Sequence, residues 1–130
     1  LFNKRIKKSL VTIGDSVTSI GGGAFAYCSS LTNIEIPDSV TIIEVEAFYG
    51  CTSLSSIDIP DGVVYIGGSA FASCSGLTSI DIPEGVTSIG NYAFAYCTGL
   101  ESLTIPANVT SIGNNALDGD HTNLSKLTIE

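Results

Sequence analysis

Positive charge, histidine and long apolar runs are scarce in this chain, and each scarcity excludes a class of function. Its 130 residues include five basic and 13 acidic residues, for a net charge of −8. Four of the basic residues lie within the first eight positions, so nearly all the rest of the chain is acidic or neutral. An acidic body repels the phosphates of nucleic acids, so we expect no nucleic-acid partner.

Membrane insertion is equally unsupported by the sequence. No stretch approaches the roughly 18 consecutive apolar residues that read as a membrane span. The first residues lack the apolar run of a signal peptide, so we expect them to carry no targeting signal. Hydrophobic residues nevertheless make up 44% of the chain and charged residues only 14%. This balance predicts a folded domain with a real core.

The sequence offers few residues suited to catalysis or metal binding. Nucleophilic catalysis by serine or threonine needs a base held beside the hydroxyl, and the single histidine, His121, lies in an irregular segment with Asp118 and Asp120. These three residues offer at most a weak metal site, and an ordinary turn is the preferred interpretation. We therefore predict that the chain is not an enzyme and holds no cofactor.

A period of 23 residues organises the chain. Residues 54–76 and 77–99 are identical at 15 of 23 positions. The columns continue without gaps and define repeats 1 to 5, which are residues 8–30, 31–53, 54–76, 77–99 and 100–122. The recurring columns include Leu31, Leu54, Leu77 and Leu100; Pro37, Pro60, Pro83 and Pro106; and Phe25, Phe48, Phe71 and Phe94. A unit this small cannot bury its own apolar face, so the period predicts an open solenoid of stacked repeats.

Within a repeat, the pattern predicts parallel strands and a turn. Ile80 and Ile82 alternate with polar residues, as in a half-buried strand that Pro83 ends. Val86 and Ile89 predict a second short strand. Gly90 is then expected to turn the chain with a positive φ. The offsets of Ala93, Phe94 and Cys97 predict one helical or 3₁₀ turn before the next repeat.

Both ends of the sequence continue the pattern. Leu1 and Phe2 lie one period before Ala24 and Phe25, and residues 123–130 begin a further strand after a one-residue slip. We therefore expect a single solenoid domain over residues 1–130, with partial repeats at both ends, that is a fragment of a longer array.

The repeat LxxIxIPxxVTxIGxxAFxxC resembles the BspA-type leucine-rich repeat, a class common in surface proteins of anaerobic bacteria and some mucosal protists. Repeat 2 departs from it at Glu44-Val45-Glu46, and repeat 1 departs at Lys8 and Gly14. The resemblance implies an α/β, β-rich leucine-rich-repeat solenoid. It also implies an extracellular, bacterial cell-surface protein with an adhesive role toward host matrix or cell-surface proteins. It brings no binding residue with it.

The four cysteines recur 23 residues apart, at Cys28, Cys51, Cys74 and Cys97. No CxxC pair is present, so a zinc site has no support. Side chains in a ladder point the same way, whereas a disulfide needs two Cβ atoms turned toward each other. We predict a column of buried thiols that contact nearby carbonyls.

Acidic and small polar columns are predicted to form the outward face of the strands. The protein-binding surface predicted here comprises Glu35, Asp58, Asp81, Asp38, Asp61, Glu84, Asn33, Ser56, Ser79 and Ser102. Rows of like charge cost free energy, and they are interpreted either as a solubilising surface or as a site for a cation or a basic partner. A metal site at Glu35, Asp58 and Asp81 is the weaker hypothesis, with Ca²⁺ as the candidate ion.

Tyr27 and Tyr96 recur beside the cysteine column, while the other tyrosines are scattered. We expect them to be partly buried over the core rather than exposed as anchors. The favoured function is a non-enzymatic protein-recognition or adhesion scaffold at a cell surface. The alternative is a structural spacer or stalk that presents another domain.

Overall fold

Residues 6–130 are described by the computed structural model, and they form an open solenoid of about five turns built from short parallel strands. The predictions made for Leu1 and Phe2 lie outside the described residues. The strands are β1 Leu10–Thr12, β2 Ser19–Ile20, β3 Asn33–Glu35, β4 Ile42–Ile43, β5 Tyr65–Ile66, β6 Ser79–Asp81, β7 Ser88–Ile89, β8 Ser102–Ile105, β9 Ser111–Ile112 and β10 Lys126–Ile129. No helix in this part of the chain has the length and hydrophobicity needed to cross a bilayer.

One side of the solenoid is formed by the first extended segment of each repeat. β1 pairs with β3, and β6, β8 and β10 form a three-stranded sheet, all parallel. The two sheets belong to the same row, in which repeat 3 contributes a single bridge between Asp58 and Asp81. β10 pairs with β8 at Leu127 and Leu103, which are 24 residues apart, so the slip in the tail is absorbed without loss of pairing.

The predicted second strand is present in every repeat. β2, β4, β5, β7 and β9 form a continuous five-stranded parallel sheet in that order. Its inward residues, such as Ile43, Ile66 and Ile89, are almost fully buried. The period-2 alternation and the 23-residue register therefore predicted both strand rows correctly, because each depends on the apolar columns alone.

The predicted helical or 3₁₀ turn is wrong, and with it the helical part of the α/β assignment: the described residues contain no helix. Within residues 69–74 the N–H groups alternate between two kinds of acceptor. Ala72 donates to Ser69 at 3.1 Å and Cys74 to Phe71 at 3.2 Å, which closes successive turns. Phe71 and Ser73 instead donate to carbonyls of repeat 4, at 2.9 and 2.8 Å. Every second hydrogen bond thus goes to the next repeat, whereas a helix keeps its hydrogen bonds within the segment.

The prediction of a positive φ at Gly90 is also wrong. The positive φ falls two residues later, at Tyr92 with 58°, and again at Tyr96 with 58°. Gly90 is required for a different reason: a Cβ there would lie 2.4 Å from the backbone nitrogen of Gly68 in the preceding repeat. Because glycine has no Cβ, it permits this close approach of the two backbones.

The core is a set of ladders running along the solenoid axis. Neighbouring phenylalanine rings stack nearly parallel, with centroids 5.5 Å apart for Phe25 and Phe48, 5.3 Å for Phe48 and Phe71, and 5.8 Å for Phe71 and Phe94. The leucine, isoleucine, valine and cysteine columns surround this stack. Each residue is buried by its equivalents in adjacent repeats, so the core is linear rather than central.

Candidate recognition surface

All ten residues of the predicted protein-binding surface are exposed. Asn33 and Glu35 lie on β3, Ser79 and Asp81 on β6, and Ser102 on β8, with outward and inward residues alternating along each strand. Ile34, Ile80 and Leu103 point inward between them and are buried. The alternation that builds the core therefore also places the polar columns outward, in straight rows.

Like-charged residues do become neighbours along these rows. Asp58 and Asp81 are paired directly across adjacent repeats, and Asp81 pairs onward with Thr104. Glu35 instead accepts a hydrogen bond from the Thr12 hydroxyl at 3.1 Å. Basic side chains are few, since Lys7, Lys8 and Lys126 are the lysines and arginines of residues 6–130. The rows thus form an acidic surface with little internal compensation.

Neither candidate metal site gains support from the geometry. Over residues 6–130 the structure gathers no group of three or more histidine, cysteine, aspartate or glutamate side chains able to hold a metal ion. Asp118 accepts a hydrogen bond from the Tyr96 hydroxyl at 3.2 Å, and Asp120 accepts one from the Thr122 N–H at 3.1 Å. His121 lies 3.1 Å from the Asp118 carbonyl. These contacts are those of a side-chain-stabilised turn.

The four cysteines form the predicted ladder of buried thiols, without disulfides. Cys51, Cys74 and Cys97 donate to the carbonyls of Phe25, Phe48 and Phe71 at 3.0–3.1 Å. Burial raises the pKa of Cys51 and of Cys97 to about 12, and it raises that of Cys74 well above its ordinary value. Reactive cysteines need the opposite environment, one that favours the thiolate. The ladder is therefore a structural element.

The expected partial burial of Tyr27 and Tyr96 is wrong, because they are 54% and 49% exposed. Tyr92 is exposed as well, at 40%. All three have a positive φ, between 58° and 60°, a conformation that is uncommon for a large side chain. Exposure of the tyrosines as anchors was the less favoured alternative, because the sequence did not show that the backbone has a positive φ at these positions.

Hydrogen bonds and packing fix the tyrosines of repeat 4. The Asn115 side-chain amide donates to the Tyr92 hydroxyl at 2.9 Å, and the Tyr96 hydroxyl donates to Asp118. The charge of Asp118 raises the pKa of the Tyr96 phenol, and the hydrogen bond to Asp118 adds to this shift. At the other end, the rings of Tyr27 and Tyr49 meet edge to face, with centroids 5.3 Å apart.

Comparison with known proteins identifies leucine-rich repeat proteins that share this architecture. A family model described as the BspA type leucine rich repeat region matches residues 1–130 in six copies. A leucine-rich repeat protein from Bacteroides ovatus is 36% identical with a TM-score of 0.85 over 93% of the chain. The T. pallidum leucine rich repeat protein is 30% identical with a TM-score of 0.86 over 94% of it.

A leucine rich cell surface protein from Faecalibacterium prausnitzii is 34% identical, with a TM-score of 0.75 over 93% of the chain. The chain spans 34% of the B. ovatus protein, 70% of the T. pallidum protein and 38% of the F. prausnitzii protein. No curated protein matched the sequence. What these relatives share with the chain is the repeat and its fold.

Proposed function

Because the chain belongs to the BspA-type leucine-rich repeat family, we propose that it is a non-enzymatic module that recognises proteins at a cell surface. Leucine-rich repeat proteins of this kind serve in recognition, and one structural relative is described as a cell surface protein. The supporting observation is the regular display of the ten predicted surface residues, all exposed, along the solenoid. An extended array of this kind makes many weak contacts effective together.

The acidic rows define the partner chemistry within this proposal. Asp58 and Asp81 are adjacent and exposed, and like charges one strand apart disfavour the fold unless something offsets them. A basic patch on a host matrix or cell-surface protein would offset them on binding. Such a contact raises the association rate and weakens with salt.

The test is retention of partners by the immobilised chain. The chain is attached to a surface and challenged with fibronectin, fibrinogen and whole cells at low and physiological salt. Retention that falls with salt and is reduced by Asp58→Asn with Asp81→Asn supports the proposal. The control is Glu44→Gln with Asp120→Asn, which changes the net charge equally at positions outside the first strand row and should leave retention unchanged.

A spacer or stalk is the second candidate function, and one observation favours it. Apart from the acidic residues, the outward positions of the strand rows are small and polar, with serine at 56, 79 and 102. They lack the tyrosine and arginine anchors that dominate tight interfaces. A chain that retains none of the tested proteins or cells, even at low salt, would favour the stalk.

A further inference from the structure

The turn segments, which are residues 22–27, 45–50, 68–73, 91–96 and 114–119, present a second outward surface. Its side chains differ between repeats, whereas its backbone conformation recurs. One position has a positive φ in all five repeats, between 56° and 64°, yet it is occupied by five different residues. These are Gly23, Glu46, Ser69, Tyr92 and Asn115. Structure alone would favour glycine at such a position. The variety therefore requires another explanation.

A second positive-φ position lies four residues further along each repeat. Glycine or serine occupies it in three repeats, at Gly50, Ser73 and Gly119, whereas Tyr27 and Tyr96 occupy it in the others. Both tyrosines lie against a glycine of the next repeat. A Cβ on Gly50 would lie 3.0 Å from the Tyr27 ring, and one on Gly119 would lie 2.5 Å from the Tyr96 ring. Glycine thus makes room for the ring in the same way at two separate places.

The composition of this surface is that of a binding site. Tyr27, Tyr92 and Tyr96 are exposed beside serine, glycine and asparagine, the residue types that dominate antibody paratopes. Tyrosine offers large contact area with little side-chain entropy to lose, and hydrogen bonds from Asn115 and to Asp118 hold two of these rings in place. A preorganised ring loses less freedom on binding than a mobile one.

The charge of the surface indicates what it binds. Its ionisable residues include Glu46 and Asp118, both exposed, and no lysine or arginine occurs in the turn segments of repeats 1 to 5. Exposed aromatic faces beside carboxylates suit a guanidinium group, which stacks on a ring and pairs with a carboxylate at once. Lysine would gain less, because its ammonium is a strongly hydrated point charge without a planar face.

We propose that the turn surface, comprising Tyr27, Tyr49, Tyr92, Tyr96, Asn115 and Asp118, binds arginine side chains presented by a protein partner. This inference rests on the proposed recognition function and assigns it a second contact surface, distinct from the acidic strand rows. Tyr27 and Tyr96 lie three repeats apart, about 14 Å at the usual strand spacing. Two arginines on one extended segment can therefore be contacted together.

The experiment uses nona-arginine and nona-lysine peptides as probes, with binding followed by amide chemical shifts of the whole chain. Nona-arginine is expected to shift the amides of residues 91–96 and 115–118 more than those of Asp58 and Asp81. Its affinity should exceed that of nona-lysine. A neutral oligosaccharide, maltoheptaose, serves as the third probe and should produce no shifts.

A triple variant tests the tyrosines. Tyr27→Ser, Tyr92→Ser and Tyr96→Ser together introduce the residue that repeat 3 carries in the same two columns, where Ser69 and Ser73 already adopt a positive φ. The triple variant should weaken nona-arginine binding by about tenfold or more. The control is Tyr65→Ser, on the second strand row opposite Ser88, which should leave the affinity unchanged. The midpoint of thermal unfolding is measured for the Tyr65→Ser control and for the triple variant, to establish that both chains are folded.

The inference is overturned if nona-arginine shifts only the acidic strand rows, if the triple variant binds as the parent does, or if maltoheptaose binds instead. These outcomes are separate from failure of the proposed function. Retention of matrix proteins that is lost on Asp58→Asn with Asp81→Asn but kept by the triple tyrosine variant would uphold the function and reject the turn surface. Arginine-specific binding at the tyrosines without retention of any protein or cell would uphold the turn surface as an arginine-binding site and reject the proposed function.

Discussion

At the scale of single residues, the cysteine column shows how a small apolar side chain also serves as a hydrogen-bond donor. The Phe48 carbonyl accepts a hydrogen bond from the Cys51 N–H in its own repeat at 3.2 Å and from the Cys74 thiol of the next repeat at 3.1 Å. Serine would donate more strongly but would bury a more polar group. A thiol is both apolar enough for the core and able to donate to a carbonyl.

Alkaline pH should therefore destabilise the fold through the thiols. Burial raises the pKa of Cys51 and Cys97 from 9.0 to about 12, so the folded state holds these protons more tightly than the unfolded state. This contribution is fully present below pH 9 and is lost as the pH rises toward 12. Between these limits each thiol should lower the free energy of unfolding by roughly 1.4 kcal/mol per pH unit.

The measurement is denaturant unfolding under reducing conditions between pH 8 and 11. Cys51→Ala removes one titrating thiol, so its free energy of unfolding should fall less steeply with pH than that of the parent. The difference between the two slopes isolates the thiol from tyrosines and lysines that titrate in both chains. Parallel slopes would contradict the prediction.

Glycines of one column should respond differently to alanine. A Cβ on Gly90 would lie 2.4 Å from the Gly68 nitrogen, whereas nothing lies within 4 Å of a Cβ on Gly21 in the same column of repeat 1. Gly90→Ala should cost about 1–3 kcal/mol, as overpacking does. Gly21→Ala should be neutral or stabilise by up to about 1 kcal/mol, because it restricts the unfolded chain.

Gly62→Ala is a second control, placed in the central repeat, where a Cβ would meet its nearest atom at an ordinary 3.4 Å. It should cost little, so that any large loss at Gly90 reflects the backbone approach and not the position along the array. Urea unfolding of the three variants gives the comparison. Equal losses at Gly21 and Gly90 would show that the close approach is not the cause.

At the scale of structural elements, the strand rows could be predicted from the sequence and the turn segments could not. Alternation of Ile80 and Ile82 with polar residues is a local signal, and Pro83 marks the end of the strand. The spacing of Ala93, Phe94 and Cys97 fits a helical turn and a series of turns equally well. What decides between them is the acceptor of alternate N–H groups, such as Phe71 donating to the Ala93 carbonyl. That acceptor lies in the next repeat and leaves no local signature.

The same non-local bonding explains why the strand surface could be predicted and the tyrosine surface could not. The acidic rows were identified because outward strand positions follow from period 2. The exposed tyrosines were missed because their direction depends on a positive φ that falls at Tyr92 and Tyr96 rather than at Gly90. A signal was present in the sequence: the column of Tyr27 and Tyr96 contains glycine at positions 50 and 119. Alternation of glycine with a large residue in one column is typical of a position that favours positive φ.

The phenylalanine stack should lose more free energy at its centre than at its end. Phe71 is fully buried between two rings, with centroids 5.3 and 5.8 Å away. Phe71→Ala should therefore cost about 3–5 kcal/mol, the usual loss on emptying a buried phenylalanine site. Among the described residues Phe25 is 8% exposed and stacks on one ring, that of Phe48, so Phe25→Ala should cost less. Denaturant unfolding of both variants measures this, and equal losses would argue against a one-dimensional array.

At the scale of the whole molecule, the stacking of repeats separates stability from recognition. Each repeat contributes the same apolar columns to the core, and contacts between adjacent repeats supply the free energy that holds the array together. The outward positions do not contribute to the core, so they need not carry the same residue in every repeat. The acidic strand rows vary little between repeats, whereas one turn column carries a different residue in every repeat. Binding residues can therefore change without loss of the fold.

Stability in a linear array should decrease from its middle repeats toward repeat 5, and three matched amides report this directly. Gly67, Gly90 and Gly113 each follow an isoleucine and donate to the isoleucine carbonyl of the preceding repeat, at 2.8, 2.8 and 2.7 Å. Their bonds and intrinsic exchange chemistry are the same, so any difference in protection reflects local opening. The surroundings differ, because Ile112 is 46% exposed while its equivalent Ile89 is 1% exposed.

Hydrogen exchange followed by NMR should therefore show Gly113 exchanging at least about tenfold faster than Gly67 and Gly90, a difference of roughly 1.4 kcal/mol in opening free energy. Repeat 5 can open while repeats 3 and 4 stay stacked, because opening it breaks contacts with its neighbours only. Phe71→Ala should reduce the protection of Gly67 and Gly90 more than that of Gly113, since the emptied site adjoins the first two. Uniform protection at the three glycines would mean that the array opens only as a whole, and the nearest-neighbour description of its stability would then fail.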